Sequence, residues 1–473
     1  LYFMACAEHL DWGYVDLPPL FPAVLAAVTG TFGDSLFVVR TIAALAGAGL
    51  VVLTAALARE MGGDLWAQAT AALCIILAPI YLIMNDITTM NTLDPLFWVG
   101  CALILARILN GGDPRLWLVF GVLAGLGINS KHTFGLWGVA LVVGLLATRA
   151  RINLRSPWIW LGGAVALLLF LPNLIWIVAN DFPHLEQLAN IRANQRDVAM
   201  SPQVFLGWQV LMLNAPAVVL WLGGLVWIFV DRQARRFLPL GIGWMVAIGT
   251  LIAVGARPYY PAPAHPVLIA AGAAALSSFV AAGGWRRWTR PAMLGLMTVT
   301  GLATAPMWLL CLPADVYSNY TKMLGMGQTR IENHDLGPLP QLFADRYGWR
   351  QIAEETARIY HALPEDEQAK ASIFGSGYGT AGAVDRYREE LDLPSAISGH
   401  LTYYLWGPGD ATGEVMIVLG EGREGLEEIF ESVEPAGRVY HPLSMPYNHH
   451  EVYLCRGMKL SFDEFWPRVK NYS

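Results

Sequence analysis

LFVVRTIAALAGAGLVVLTAALA, residues 36–58, carries one charge, Arg40, near its start. At 1.5 Å of rise per residue, a helix of this length crosses the ~30 Å hydrocarbon layer of a bilayer. Runs of the same kind recur with little pause, near 65–84, 92–109, 115–130, 133–148, 157–179, 203–230, 237–254, 263–282 and 291–312. About ten spanning helices are therefore expected. Pro19 to Thr31 is too short to span and reads as a re-entrant or interfacial helix. The boundary at Asn129-Ser130-Lys131-His132, between the fourth and fifth runs, is the least defined.

Composition agrees. Of 473 residues, 55% are hydrophobic and only 14% charged, against about a quarter charged in soluble domains. Eighteen Trp and seventeen Tyr suit a protein that needs aromatic anchors at two lipid–water interfaces. A formal charge of −6 argues against a nucleic-acid partner, which favours a basic surface. Cys6, Cys74, Cys101, Cys311 and Cys455 lie far apart, with neither disulfide-framework nor zinc spacing. The chain opens on Leu1-Tyr2-Phe3-Met4 with no signal peptide or first apolar span, and this reads as a fragment without its own N-terminus.

Basic residues in short loops orient the spans. One set of loops holds Arg59, Arg107, Arg115, Arg149, Arg151, Arg155, Arg232, Arg235, Arg236, Arg286, Arg287 and Arg290; the alternate set holds Arg40, Lys131, Arg192, Arg196 and Arg257. The first set is expected on the cytoplasmic side. Beyond Leu312 the composition turns polar. A helix over Gly348–Leu363, strands at Ala371–Phe374, Glu414–Leu419 and Glu451–Cys455, and a helix at Gly425–Ser432 make a small α/β domain outside the cytoplasm. The expected organisation is a membrane domain over 1–312, a linker over 313–340 and a soluble domain over 341–473.

Polar residues with chemical capacity gather in the less basic loops. Glu8, Asp11 and Asp16 lie in EHLDWGYVDLPPL, and Asn85, Asp86, Asn91 and Asp94 in MNDITTMNTLDPLFW. Lys131 and His132 lie in NSKHTFG, followed by NDFPHLEQLANIRANQRD and by Arg257, Tyr259, Tyr260 and His265 in ARPYYPAPAHP. Span centres hold almost no ionisable group. An ion-coupled transporter needs such groups near the bilayer midplane. An enzyme acting on a lipid-anchored phosphate donor needs cations and carboxylates at headgroup height instead, because the leaving group departs as a lipid phosphate. A nearby carboxylate can then deprotonate the acceptor.

Each residue also has a plainer reading. Asp94 before Pro95 can be a helix cap, Asp16 a turn residue, Lys131 a snorkelling side chain and Arg257 an interfacial anchor. His132 and His265 are balanced between site and packing roles; Asp86 and His184 read as structural or solvated. Tyr259 and Tyr260 suit either an aromatic belt or a platform for a sugar or prenyl chain. Gly377-Tyr-Gly379-Thr-Ala-Gly382 follows a strand-like run and matches GxGxxG. A lone match is weak, and AISGHLTYYLWG offers no acid where a dinucleotide site requires one; tight turning and packing account for these glycines.

YFMACAEHLDWGYVDLPPL resembles the first outer loop of the glycosyltransferase family 39 type, which includes bacterial aminoarabinose transferases and protein O-mannosyltransferases. MNTLDPLFW, GLGINSKHTFG and RPYYPAPAHP follow in the family's order, so the resemblance covers roughly 1–312. It implies a GT-C fold, a mainly α polytopic membrane protein with a C-terminal extracytoplasmic α/β domain. It further implies sugar transfer from a polyprenyl-phosphate donor to an extracytoplasmic acceptor, in the bacterial plasma membrane. Asp16 and Asp94 match acidic positions of the family, with Asp16 able to contact a divalent metal. Lys131 and Arg257 match cationic positions near the donor phosphate. The principal Asp-Glu pair of the family would fall just ahead of Leu1, and Leu17 stands where a basic residue is usual. A flippase or transporter of lipid-linked substrates is the alternative, and a scaffold with a binding domain the third.

Overall fold

The computed structural model describes residues 1–194, 196, 200–325, 335 and 337–473. By contacts the chain forms two compact units. One holds Leu1–Asp16, a connecting stretch with a helix at Pro183–Ala193, and the chain from Leu312 onward; the other is the apolar helical bundle.

After α1 (Tyr2–Glu8), the bundle comprises α2 (Leu20–Phe32), α3 (Leu36–Glu60), α4 (Leu65–Leu77), α5 (Pro79–Asp86), α6 (Asp94–Leu109), α7 (Leu116–Ser130), α8 (Phe134–Leu146) and α9 (Pro157–Ala179). Beyond α10 (Pro183–Ala193) it resumes with α11 (Pro202–Met212), α12 (Val218–Val230), α13 (Leu238–Ala253), α14 (His265–Ala281) and α15 (Thr289–Trp308). Among the described residues, five helical stretches are long and apolar enough to cross a membrane: Leu36–Glu60, Met90–Leu109, Pro157–Ala179, Ala234–Ala253 and Ala262–Ala281. Three expected spans are broken. The 65–84 run bends by 63° at Ala78–Pro79, and the 203–230 run bends by 107° at Asn214–Ala215. The 133–148 run ends in a 3-10 stretch, Arg149–Arg155, turned by 107°. Pro79 and Pro216 lack the N–H that would continue the helical ladder. Asn214 adopts φ 71°, and its amide bonds Met297 O and the Thr300 hydroxyl on α15. The chain is a multi-pass membrane protein.

Small residues set the closest crossing. A Cβ on Gly272 of α14 would overlap the carbonyl oxygen of Leu220 on α12, and one on Gly224 that of Leu268. Backbones approach this closely only where both side chains are absent.

The other unit carries a five-stranded sheet in the order β2-β1-β3-β5-β4: β1 (Ala371–Gly375), β2 (Ala396–Ile397), β3 (Val415–Leu419), β4 (Phe430–Val439) and β5 (His450–Met458). β1, β2 and β3 are parallel; β5 runs antiparallel to β3 and β4. After α16 (Ala314–Met323), α17 (Trp349–His361), α18 (Tyr378–Leu391) and α19 (Arg423–Ile429) accompany the sheet. The helix expected over 425–432 stops at Ile429 because β4 begins at Phe430. That strand carries Pro435 and a bulge before Gly437 at the sheet edge, the place where strand proline is tolerated.

The GxGxxG glycines are packing glycines. A Cβ on Gly379 would lie 2.9 Å from the Trp349 ring, and one on Gly382 3.3 Å from the backbone of Tyr2 in α1. The first N–H of α18, on Tyr378, donates to His400 Nδ1 (3.3 Å). A phosphate cradle would need that space and that donor free. His400 Nδ1 therefore accepts, and Nε2 carries the proton toward Ser473 O, 2.8 Å away. Burial pushes His400 and His450 down to about 4. The unfolded imidazole titrates near 6.5, so the stability from each is complete above that pH and is lost as pH falls toward 4. Asp16, raised by burial to about 6, has the opposite sign, its contribution present at low pH and lost as pH rises through 6. Both histidines therefore weaken the fold as pH falls from 6.5 toward 4. Hydrogen exchange in β1 and α18 should accelerate over that window, and less so in a His400→Gln variant; flat exchange would contradict the assignment.

Candidate functional site

Thr89 starts the site. Its hydroxyl accepts the Asn91 N–H (3.2 Å), and its own N–H donates to Thr92 Oγ1 (3.1 Å), a reciprocal cap that fixes the turn Met90–Thr92. The Asn91 amide group donates through Nδ2 to Thr89 Oγ1 (3.3 Å), which points Oδ1 the other way. Lys131 Nζ donates to that Oδ1 at 2.6 Å.

Lys131 follows the last residue of α7, where a cation is favoured by the helix dipole. It is only 7% exposed. Its ammonium lies 4.5 Å from the Tyr260 ring centroid and 5.5 Å from that of Tyr259. The two rings stand edge to face at 4.9 Å. Arg257 interacts with the Tyr259 hydroxyl, and burial raises that phenol above its ordinary range. A buried ammonium among an amide and two π-faces is held in place but not neutralised by them.

Asp94 supplies the near carboxylate; its charge is coupled to that of Lys131. It does not cap α6, whose N-cap is Leu93 with no side-chain cap. Instead Oδ1 accepts the Trp98 indole N–H at 2.8 Å, one turn on. Trp98 stacks on Trp137 at 5.0 Å, and Trp137 Nε1 donates to Trp98 O at 3.2 Å. At 1% exposure, Asp94 is anchored in the core.

The other sequence candidates separate. His132 turns to α9, where its Nε2 meets Asn173 Oδ1 at 3.1 Å. His265, 1% exposed, packs between Trp221 and Trp244, each ring 5.7 Å away. Its Nε2 faces Gln209 Oε1 at 3.0 Å, while Gln209 Nε2 donates to Pro258 O (2.9 Å) and Phe205 O (3.1 Å). Because the Gln209 amide nitrogen is committed to carbonyls, its oxygen accepts and His265 Nε2 carries the proton. Gln209 thus links His265 to Pro258 in the Arg257–Tyr260 loop. Asp16 belongs to the other unit, where it accepts the Tyr2 hydroxyl at 2.6 Å, and Tyr2 also meets Thr402 Oγ1 at 2.7 Å. Among the described residues no three His, Cys, Asp or Glu side chains converge in a metal-binding group.

From the sequence, Asn91 is one polar residue of its loop with no role of its own, and Gln209 is not singled out. Gln209 did leave a trace, as an uncharged amide inside the apolar run VFLGWQVLM.

Residues 16–176 match a family profile described as dolichyl-phosphate-mannose-protein mannosyltransferase. No protein of curated function matches the sequence. The fold is similar to that of ArnT from Cupriavidus metallidurans bound to undecaprenyl phosphate, with a TM-score of 0.61 at 14% identity, over 96% of this chain and 92% of that one. The apo ArnT structure gives 0.57 at 15% identity, over 96% of this chain and 92% of that one. The archaeal oligosaccharyltransferase AglB from Archaeoglobus fulgidus, in complex with an inhibitory peptide and a dolichol-phosphate, gives 0.52 at 12% identity, over 88% of this chain and 65% of that one. The chain has the GT-C fold.

Proposed function

We propose that this multi-pass membrane protein of GT-C fold transfers a sugar from a polyprenyl-phosphate donor to an acceptor outside the cytoplasm, in a bacterial plasma membrane. The observation that carries the reading is Lys131, buried, aimed by Asn91 and flanked by Tyr259 and Tyr260. A related fold holds undecaprenyl phosphate in ArnT, and dolichol phosphate in AglB. As the bond from sugar to phosphate breaks, negative charge grows on the phosphate oxygens. Lys131 and Arg257 would stabilise that charge without first having to reorganise. Tyr259 and Tyr260 would flank the sugar or the first prenyl units. Asp94 would orient Lys131 from within the core, and Asp16 would act from the first loop. The sheet unit, read as residues 341–473 after a linker over 313–340, is assigned to the same extracytoplasmic side.

Membranes carrying the protein should release polyprenyl phosphate from a polyprenyl-phosphate sugar and pass the sugar to an acceptor. A Lys131→Ala, Arg257→Ala double variant should not. Undiminished turnover in that variant would refute the phosphate role; transbilayer movement of intact donor without cleavage would favour a flippase.

Gln209→Leu should loosen the loop rather than remove its chemistry. It leaves Pro258 O and His265 Nε2 without their partner, and a lost buried bond costs about 1–3 kcal/mol. The expected result is a KM for donor raised roughly tenfold with kcat little changed. An unchanged KM would separate His265 and Gln209 from the site.

A further inference from the structure

α7, α8 and α9 enclose a cavity of about 270 Å³ at the end of the bundle away from Lys131. A water molecule's share of liquid is about 30 Å³, so this space accommodates a chain segment. Its wall is apolar and includes Trp117, Phe120, Leu141, Leu145, Leu154 and Trp160. Trp160 is 67% exposed, so the cavity opens on the flank that faces lipid.

The cavity is bordered by charge. Arg149–Arg155 turns 107° from α8 and lies across the end of the span. This stretch gives Leu154 to the cavity wall while Arg149, Arg151 and Arg155 are exposed. None of the three pairs with a carboxylate among the described residues. Exposed Arg115 sits beside Trp117, its guanidinium 5.6 Å from the Trp158 ring. Trp117, 2% exposed, keeps its Nε1 without a partner among the described residues.

We infer that this cavity with its arginine border is a binding site for one anionic phospholipid, its acyl chain inside and its phosphate on the Arg149–Arg155 segment. Charge complementarity selects the occupant. Four cations at one end of an apolar slot fit a phosphate-bearing diacyl lipid better than a zwitterionic one. The inference is independent of the transfer reading and requires only that the bundle spans a membrane.

The test uses the full chain in nanodiscs with trace phosphatidylglycerol or phosphatidylcholine, each carrying a diazirine on one acyl chain. Peptides 117–124 and 138–145 should be labelled at least about fivefold more by phosphatidylglycerol, the preference one arginine near an anionic surface confers. An Arg149→Gln, Arg151→Gln, Arg155→Gln variant should fall to the phosphatidylcholine level. Gly163 lines the cavity, and a Cβ there meets nothing within 4 Å. Gly163→Leu should therefore block labelling by both lipids while the melting temperature holds. Gly138→Leu, equally open, replaces it if the first variant fails to fold. Equal labelling by the two lipids, or unchanged labelling in the filled variant, overturns the site. Displacement of the label by polyprenyl phosphate overturns the phospholipid assignment in favour of the donor's own chain.

Discussion

Replacing Lys131 with methionine is expected to lower sugar transfer by roughly two to three orders of magnitude, the effect of deleting one preorganised donor from a site of charge development. Stability should fall as well. Asp94, at 1% exposure, would lose the cation its charge is coupled to, and a buried charge without a compensating neighbour is costly. The two effects separate in a Lys131→Met, Asp94→Asn variant, where the amide still accepts from Trp98 and no lone charge remains. That variant should regain its melting temperature and stay inactive. Lys131→Arg keeps the charge and should recover part of the rate. Recovery of transfer together with stability in the double variant would make Lys131 a structural lysine.

The largest effect on stability is expected from Gly272→Leu. The added Cβ would overlap Leu220 O, and no rotamer relieves a clash that begins at Cβ. Overpacking typically costs about 1–3 kcal/mol, and a backbone overlap should exceed that range. Folded yield in detergent should collapse. Gly223→Ala, on the same α12 but facing open space, should fold normally. Equal yields would mean that the α12–α14 crossing is looser than described.

The membrane fold was legible because length and apolarity mark spans directly. Breaks were harder to read, since they depend on local events such as Pro79 after Ala78 and the positive φ of Asn214. β4 was hidden because Pro435 and a largely exposed face remove the alternation that marks a strand. At the site, the loops NTLDP, NSKHTFG and RPYYP were readable as sources of Asp94, Lys131, Arg257, Tyr259 and Tyr260, and the fold brings these together. The direction of each side chain was not readable. His132, next to Lys131, turns to Asn173, while Asn91 became the partner of Lys131 through a hydrogen bond made by Thr89.

Phosphorus NMR of a polyprenyl phosphate in nanodiscs tests the phosphate site most directly, because it needs no knowledge of sugar or acceptor. The native chain should shift or broaden the phosphate resonance in a saturable way, and Lys131→Met, Asp94→Asn should abolish the effect while remaining folded. An identical saturable shift with the variant would place the phosphate elsewhere and remove the basis of the transferase reading.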